Sequence, residues 1–253
     1  MGQQIAKLAL LNLATDNHSP IAIGGAVEAR SHPAIGSDLG LWLGKAAIGV
    51  KITDDVVNGL KAGDVLIEFT NPEATMAHAG IAKDLKKPMV IGTTGLGDDQ
   101  REVLRRYAKD IPIVLSPNMS VGVNVLCELV DTATTRLAFQ GYEISIQETH
   151  HAGKMDKPSG TAKRLQELIG AVLGQRPANI PCESTREGDV IGEHAVVIED
   201  GHERIRLSHE ALSRDVFARG ALEAAVFVSR QQPGLYEMSH VIKSMESAKP
   251  HRA

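Results

Sequence analysis

Apolar residues divide this chain into short continuous runs separated by stretches at helical spacing. Ile5, Leu8, Ala9 and Leu13 recur every three or four residues, so the chain opens on a helix with no strand before it. Pro20 to Val27 reads as a buried strand ending at Glu28, followed by a glycine-rich connection from His32 to Gly44. Asp64 to Thr70 is predicted as a strand, after which Asn71-Pro72 turns into a helix reaching Lys86. Pro88 to Ile91 is the next strand and runs into Gly92-Thr93-Thr94-Gly95. A helix over about Asp98 to Lys109 leads to the strand Pro112 to Leu115 and the loop Ser116-Pro117-Asn118-Met119-Ser120. Strands alternating with helices through short connections predict an α/β fold with a doubly wound parallel sheet. Ligands of such sheets bind beyond the carboxyl ends of the strands, where Glu28, Thr70, Gly92, Thr93, Thr94, Pro117 and Asn118 fall. An acidic residue closing the second strand is also where an adenosine ribose is held in dinucleotide-binding folds, although many strands end in one.

The pattern changes after Met119. Val121, Val125 and Leu129 mark a helix from Ser120 to Leu137, and Tyr142 to Gln147 alternates as a strand with Ile144 and Ile146 on its buried side. A helix begins near Ser159, with Ala162, Leu165, Leu168, Ile169, Val172 and Leu173 on its apolar face. Val190 to Ile198 is a strand, Asp200-Gly201 a hairpin turn, and Arg204 to His209 the returning strand. A helix from about Arg214 to Ser229 closes this part, and the polar tail from Ser247 is expected to fray. The expected organisation is a first domain of residues 1–119 and 231–253 and a smaller α+β domain of residues 120–230.

Composition narrows the function classes. With 43% hydrophobic and 23% charged residues the chain has the make-up of an ordinary globular protein. A net charge of -4 argues against nucleic acid or an anionic membrane as partner, and no run has the length of a membrane span. Cys127 and Cys182 stand in no metal or redox spacing, which points to a reducing cytoplasm and no structural metal.

The densest chemistry lies in Glu148-Thr149-His150-His151-Ala152-Gly153-Lys154-Met155-Asp156-Lys157-Pro158-Ser159-Gly160-Thr161-Ala162. Period two sends His150 and His151 to opposite faces of the strand, and Lys154 adds an ammonium a few residues on. Ser159-Gly160-Thr161 presents backbone N–H groups at the positive end of a helix, a place for a carboxylate or phosphate. The dipole contributes about 0.3–1 kcal/mol there, up to about 2 when partly buried. Each piece has a plainer reading, Ser159 as a helix cap and the histidine pair as a hydrogen-bonded wall. Together they predict a small anionic substrate that must be protonated.

This segment closely resembles the E-x-H-H-x-x-K-x-D-x-P-S-G-T-A signature of the 4-hydroxy-tetrahydrodipicolinate (dihydrodipicolinate) reductase family. Glu68-Phe69-Thr70-x-Pro72, Val90 to Gly95, Pro117 to Asn124, Gly188 to His194 and Pro233 to Met238 resemble further phrases of that family. The resemblance implies a Rossmann-like domain plus a substrate and oligomerisation domain. It also implies NADH or NADPH as cofactor, a cyclic dicarboxylate as substrate, a place in lysine and diaminopimelate biosynthesis, and a homotetramer. By it His150 and Lys154 are catalytic, while His151, Gly160 and Thr161 hold the substrate. Gly2, Glu28, Gly92, Thr93, Thr94, Pro117, Asn118, Met119 and Ser120 bind the cofactor, and Glu193 and His194 are sheet and subunit-contact residues rather than catalysts.

Two phrases depart from the family pattern. Its first strand and glycine loop ending G-R-M-G are represented only by Met1-Gly2, and the connection from Gln175 to Thr185 is short, matching the family only loosely at Ile180 to Ser184. Glu28 is followed by Ala29 where some members carry an arginine, which leaves NADH against NADPH open. The alternatives are another two-domain amino-acid dehydrogenase, or a degenerate paralogue that has lost dinucleotide binding.

Overall fold

A computed structural model describes residues 1–15 and 21–247 and divides the chain into two compact units, Met1–Met119 with Phe217 onward and Ser120–Val216. Pro20, the side chain of Leu13 and the tail beyond Ser247 lie outside the described residues.

The first unit begins with helix α1 (Gly2–Thr15), strand β1 (Ala26–Val27), the short helix α2 (Leu39–Trp42), β2 (Ile52–Thr53) and α3 (Val56–Lys61). β1 and β2 pair in parallel, Ala26 opposite Ile52. Ala34, Leu39, Leu43 and Ile52 form a small core there, with Ala6 and Leu10 of α1 packed against it. The strand expected over Pro20 to Val27 is thus reduced to two residues. Gly24 and Gly25 lie too close to the backbone of Ala62 and Gly59 for any side chain, so the chain before β1 is spent on packing against α3 and its C-terminal cap.

Next come β3 (Leu66–Glu68), α4 (Pro72–Asp84), β4 (Met89–Ile91), α5 (Asp98–Tyr107) and β5 (Pro112–Leu115). The helix begins after Asn71 as the sequence predicts, with Asn71 accepting from the N–H of Ala74 as its cap and Pro72 in its first turn. α4 ends before the expected Lys86, which takes a left-handed backbone (φ 55°). Met89, Val90 and Ile91 are all buried, the continuous apolar run of a strand covered on both faces.

The second unit holds α6 (Val121–Leu137), β6 (Glu143–His150), α7 (Gly160–Leu173), β7 (Cys182–Arg186), β8 (Glu193–Glu199) and β9 (Arg204–Glu210). Its sheet has the order β7-β6-β8-β9, parallel between β6 and β7 and antiparallel elsewhere. Burial along β6 alternates strictly, placing Ile144, Ile146, Glu148 and His150 on one face. Ile144 and Ile146 pack with Ile198, Leu126, Val130, Leu165 and Ile169 into the core beneath α6 and α7. The strand predicted from Val190 starts at Glu193, because Ala211 N–H takes the carbonyl of Gly192 and the ladder begins with Glu193 opposite Glu210. The short connection expected from Gln175 to Thr185 contains a 3-10 turn (Pro177–Asn179) and the start of β7.

The chain returns through α8 (Asp215–Val228), β10 (Gly234–Tyr236) and α9 (Met238–Ser247). β10 completes a parallel sheet of order β10-β5-β4-β3. By backbone packing the return comes at Phe217, earlier than the expected Gln231. The reason is a close approach: Gly220 of α8 lies on the carbonyl of Met119, where a Cβ would overlap it. Among the described residues no ladder joins β1 and β2 to this four-stranded sheet.

Candidate active site

In the second unit, β6 delivers two chemical groups to its buried face. Period two sets Glu148 and His150 side by side, 2% and 8% exposed. His150 Nδ1 is hydrogen-bonded to Glu148 Oε2, and the other carboxylate oxygen accepts from Arg186 Nη2 at 2.9 Å and from the N–H of Ser159 at 3.3 Å. Burial alone would raise the Glu148 pKa, but the bonds from Arg186, Ser184 and His150 outweigh it and hold the carboxyl below its usual range. Burial pulls the His150 pKa down, against the opposing pull of Glu148, so the resting imidazole is neutral. Its Nε2 stands where a Cβ on Gly192 would lie 3.0 Å away, so a side chain at 192 would crowd the ring.

Ser159 links this pair to α7. Its hydroxyl accepts from the N–H of Ala162 (3.2 Å), capping the helix as the sequence suggests, and lies 3.0 Å from His194 Nε2. His194 is paired with Glu148 across β6 and β8, and its ring meets that of His150 edge to face at 5.0 Å. Burial drives its pKa down to about 3, so it stays neutral. Thr161 is buried in the first turn of α7, whereas Gly160 opens onto space with nothing within 4 Å of a Cβ position. An anion meeting Gly160 would therefore reach backbone N–H groups directly.

The loop between β6 and α7 carries His151, half-buried, and Lys154, whose ammonium lies 2.7 Å from Asp156 Oδ1. Burial would raise the Asp156 pKa, but Lys154 brings it below the ordinary value. Arg186 holds the same loop from the far side: its Nε donates to the carbonyl of Lys154 (3.3 Å) and its Nη2 to that of Asp156 (2.6 Å).

Sequence reasoning assigned no role to Glu148, Asp156 or Arg186, and read His194 as a sheet and subunit-contact residue. His194 does lie in the sheet, yet its ring is buried in this cluster. The signal for Glu148 was available, since alternation with Ile144 and Ile146 puts a charge on the buried face, where it requires a partner. Glu148, His150 and His194 also bring three ligand atoms within 4.8 Å of one another. Glu148 is already bonded by Arg186 and His150.

In the first unit, the exits of β3, β4 and β5 lie in a row. Glu68 is buried at the end of β3 and accepts from the N–H of Thr70 (2.9 Å), with His78 Nδ1 at 2.6 Å. Gly92 follows β4 and lies against the ring of Phe69, where a Cβ would overlap it. Thr93 Oγ1 lies 2.8 Å from Thr75 Oγ1, tying this loop to α4, while Thr94 is exposed. After β5, Ser116 Oγ donates to the carbonyl of Asn118 (2.8 Å), Pro117 is exposed and Met119 buried. Ser120, which belongs to the second unit, is buried and caps α6 through the N–H of Val123 (3.3 Å). Glu28 follows β1 with its carboxylate exposed and accepting from the N–H of Ala29 (2.9 Å), and Gly2 is the exposed first residue of α1. These residues thus come from the separate β1–β2 pair, from the four-stranded sheet and from two helix starts.

Comparison with known proteins bears on both units. The family model described as dihydrodipicolinate reductase, N-terminus matches residues 1–119, and the model described as dihydrodipicolinate reductase, C-terminus matches residues 122–242. The 4-hydroxy-tetrahydrodipicolinate reductase of Syntrophus aciditrophicus (strain SB) is 40% identical over 235 residues, covering 86% of this chain and 87% of its own. That of Anaeromyxobacter dehalogenans (strain 2CP-1 / ATCC BAA-258) is 40% identical over 259 residues, covering 96% and 93%. Among solved structures, a dipicolinate-bound dihydrodipicolinate reductase from Paenisporosarcina sp. TG-14 superposes with TM-score 0.69 at 19% identity, over 92% of this chain and 93% of that one. An amine dehydrogenase from Mycobacterium smegmatis reaches TM-score 0.61 at 13% identity, over 93% and 91%, a likeness of fold alone.

Proposed function

The chain belongs to the dihydrodipicolinate reductase family, and from that membership we infer that it reduces 4-hydroxy-tetrahydrodipicolinate to tetrahydrodipicolinate with NADH or NADPH, a step of lysine and diaminopimelate biosynthesis. The observation that carries the reading to this molecule is the convergence of His150, Lys154 and the open N-terminus of α7 within one unit. Neither another amino-acid dehydrogenase nor a degenerate paralogue is favoured by any feature of the site.

The dinucleotide, when bound, supplies the hydride. The residues of the first unit fit such a ligand chemically. The exposed Glu28 carboxylate can accept from ribose hydroxyls, Gly2 opens the first turn of α1, and the loops Gly92-Thr93-Thr94 and Pro117-Asn118-Met119 offer backbone at the carboxyl ends of parallel strands. Ser120, in the second unit, caps α6 through its hydroxyl.

His150 is the proton donor in this account. Its Nδ1–H is given to Glu148, which leaves Nε2 of the neutral ring as the acceptor. Nε2 takes up a proton from solvent, Glu148 stabilises the imidazolium so formed, and Nε2 then gives that proton to the substrate and returns to the neutral ring. Lys154 neutralises negative charge developing on the substrate and, being paired with Asp156, is held in place for it. His151, Gly160 and Thr161 receive a substrate carboxylate at the helix terminus, where N–H groups and dipole act together. The assembly is a homotetramer in the cytoplasm. Two free thiols and the absence, among the described residues, of a helix long and apolar enough to cross a membrane are consistent with that setting.

Titrating the whole chain with NADH and with NADPH by calorimetry tests the cofactor half of the reading. Micromolar binding of either is the expected result, and absence of binding to the folded chain would overturn it.

A further inference from the structure

Arg186 ends β7, directly after the short connection from Gln175 to Thr185. β7 runs parallel to β6 with Arg186 directly opposite His150. The Arg186 side chain is 8% exposed and its donors are distributed over separate pieces of the site: Glu148 Oε1 at 2.9 Å, the carbonyl of Asp156 at 2.6 Å, the carbonyl of Lys154 at 3.3 Å and its neighbour Thr185 at 2.6 Å. A buried guanidinium satisfied by one carboxylate and three carbonyls joins the strand carrying His150 to the loop carrying Lys154.

Building on the reductase reading above, we propose that Arg186 is the positioning residue of this site, fixing the Glu148 carboxylate on His150 and the Lys154–Asp156 loop with one planar fork. The two functions are separable by chemistry. The charge of Arg186 competes with His150 for Glu148 and disfavours the imidazolium. The fork geometry, which lysine lacks, spans carboxylate and loop together. The charged and titratable groups around His150 are Glu148 on its own strand, Arg186 on β7, Lys154 on the loop and His194 on β8, with His209 of β9 beside His194. Of the cations, only Arg186 is bonded to Glu148, so its removal leaves that carboxylate to His150 alone. The pair then holds its proton to higher pH, whichever member carries it.

The test compares wild type, Arg186→Met and Arg186→Lys. It reads kcat and KM for the reductase substrate across pH, and the titration of the His150 imidazole by NMR, which needs no turnover. Arg186→Met is expected to raise the His150 titration and the alkaline limb of kcat by about one pH unit or more. It is also expected to lower kcat/KM about 100-fold, the scale of a mispositioned catalytic loop. Arg186→Lys, which keeps the charge if the methionine variant folds poorly, returns the titration and the alkaline limb to the wild-type position while KM for the dicarboxylate stays raised. Variants that melt lower but keep wild-type kcat, KM and His150 titration would overturn the proposal, reducing Arg186 to a structural residue. An inactive wild type would strike the reductase reading, and the NMR titration of the three proteins would still decide the role of Arg186.

Discussion

His150 and Arg186 face each other across the parallel pair β6–β7, and both are bonded to the same carboxylate, Glu148. A buried base, a buried acid and a buried guanidinium are thus arranged so that no charge is left alone. Removing one member exposes the cost. Glu148→Leu leaves Arg186 without its counter-charge and is expected to destabilise the protein by about 3–5 kcal/mol. Urea unfolding followed by circular dichroism measures it, and a loss below about 1 kcal/mol would show the pair to be dispensable.

His150→Gln keeps size and polarity but cannot donate a proton as an acid. It is expected to lower kcat by about 10²–10⁴ in a protein that still folds cooperatively. Steady-state kinetics beside a melting curve decide this, and near-normal turnover would remove His150 from the proton transfer.

Stability should fall on mild acidification, and His194 is one cause. The unfolded histidine protonates below about 6.5, whereas burial holds the folded one neutral down to about 3. Between those values the unfolded state binds the extra proton, so the contribution of His194 is complete above the unfolded pKa and is lost as pH falls toward the folded one. The loss is up to about 1.4 kcal/mol per pH unit for each such proton. His150 and His209 are shifted the same way by burial and add to the slope. Unfolding free energies measured between pH 5 and 6.5, above the carboxylate range, should decline less steeply in His194→Gln than in wild type.

Much of this site can be read from the chain before any fold is known, and the division follows the range of the interactions. Ser159 as a cap, the α7 face through Leu165 and Ile169, and the strand exits at Gly92 and Pro117 all rest on local spacing. Glu148 was equally legible, because its period with Ile144 and Ile146 forces it inward. Arg186 was not, since its role depends on β7 pairing with β6 across an intervening helix, which no local pattern reports. The same holds for His194, brought to Ser159 only by the antiparallel register of β6 and β8. The strand before Glu28 was overestimated because Gly24 and Gly25 serve close packing on α3 rather than a ladder.

Gly92 is needed for space. Gly92→Ala drives a methyl into the Phe69 ring and is expected to cost about 1–3 kcal/mol, the scale of overpacking. The double variant Phe69→Leu with Gly92→Ala should recover part of that loss. Equal melts for Gly92→Ala and wild type would show that the loop relaxes freely.

The most direct test of the account is the oxidation of NADH and of NADPH by the purified whole chain, followed optically, with 4-hydroxy-tetrahydrodipicolinate generated in the cuvette. Substrate-dependent oxidation of at least one cofactor is expected, falling by about two to four orders of magnitude in His150→Gln. No substrate-dependent oxidation by a chain whose melting curve shows it folded would contradict it.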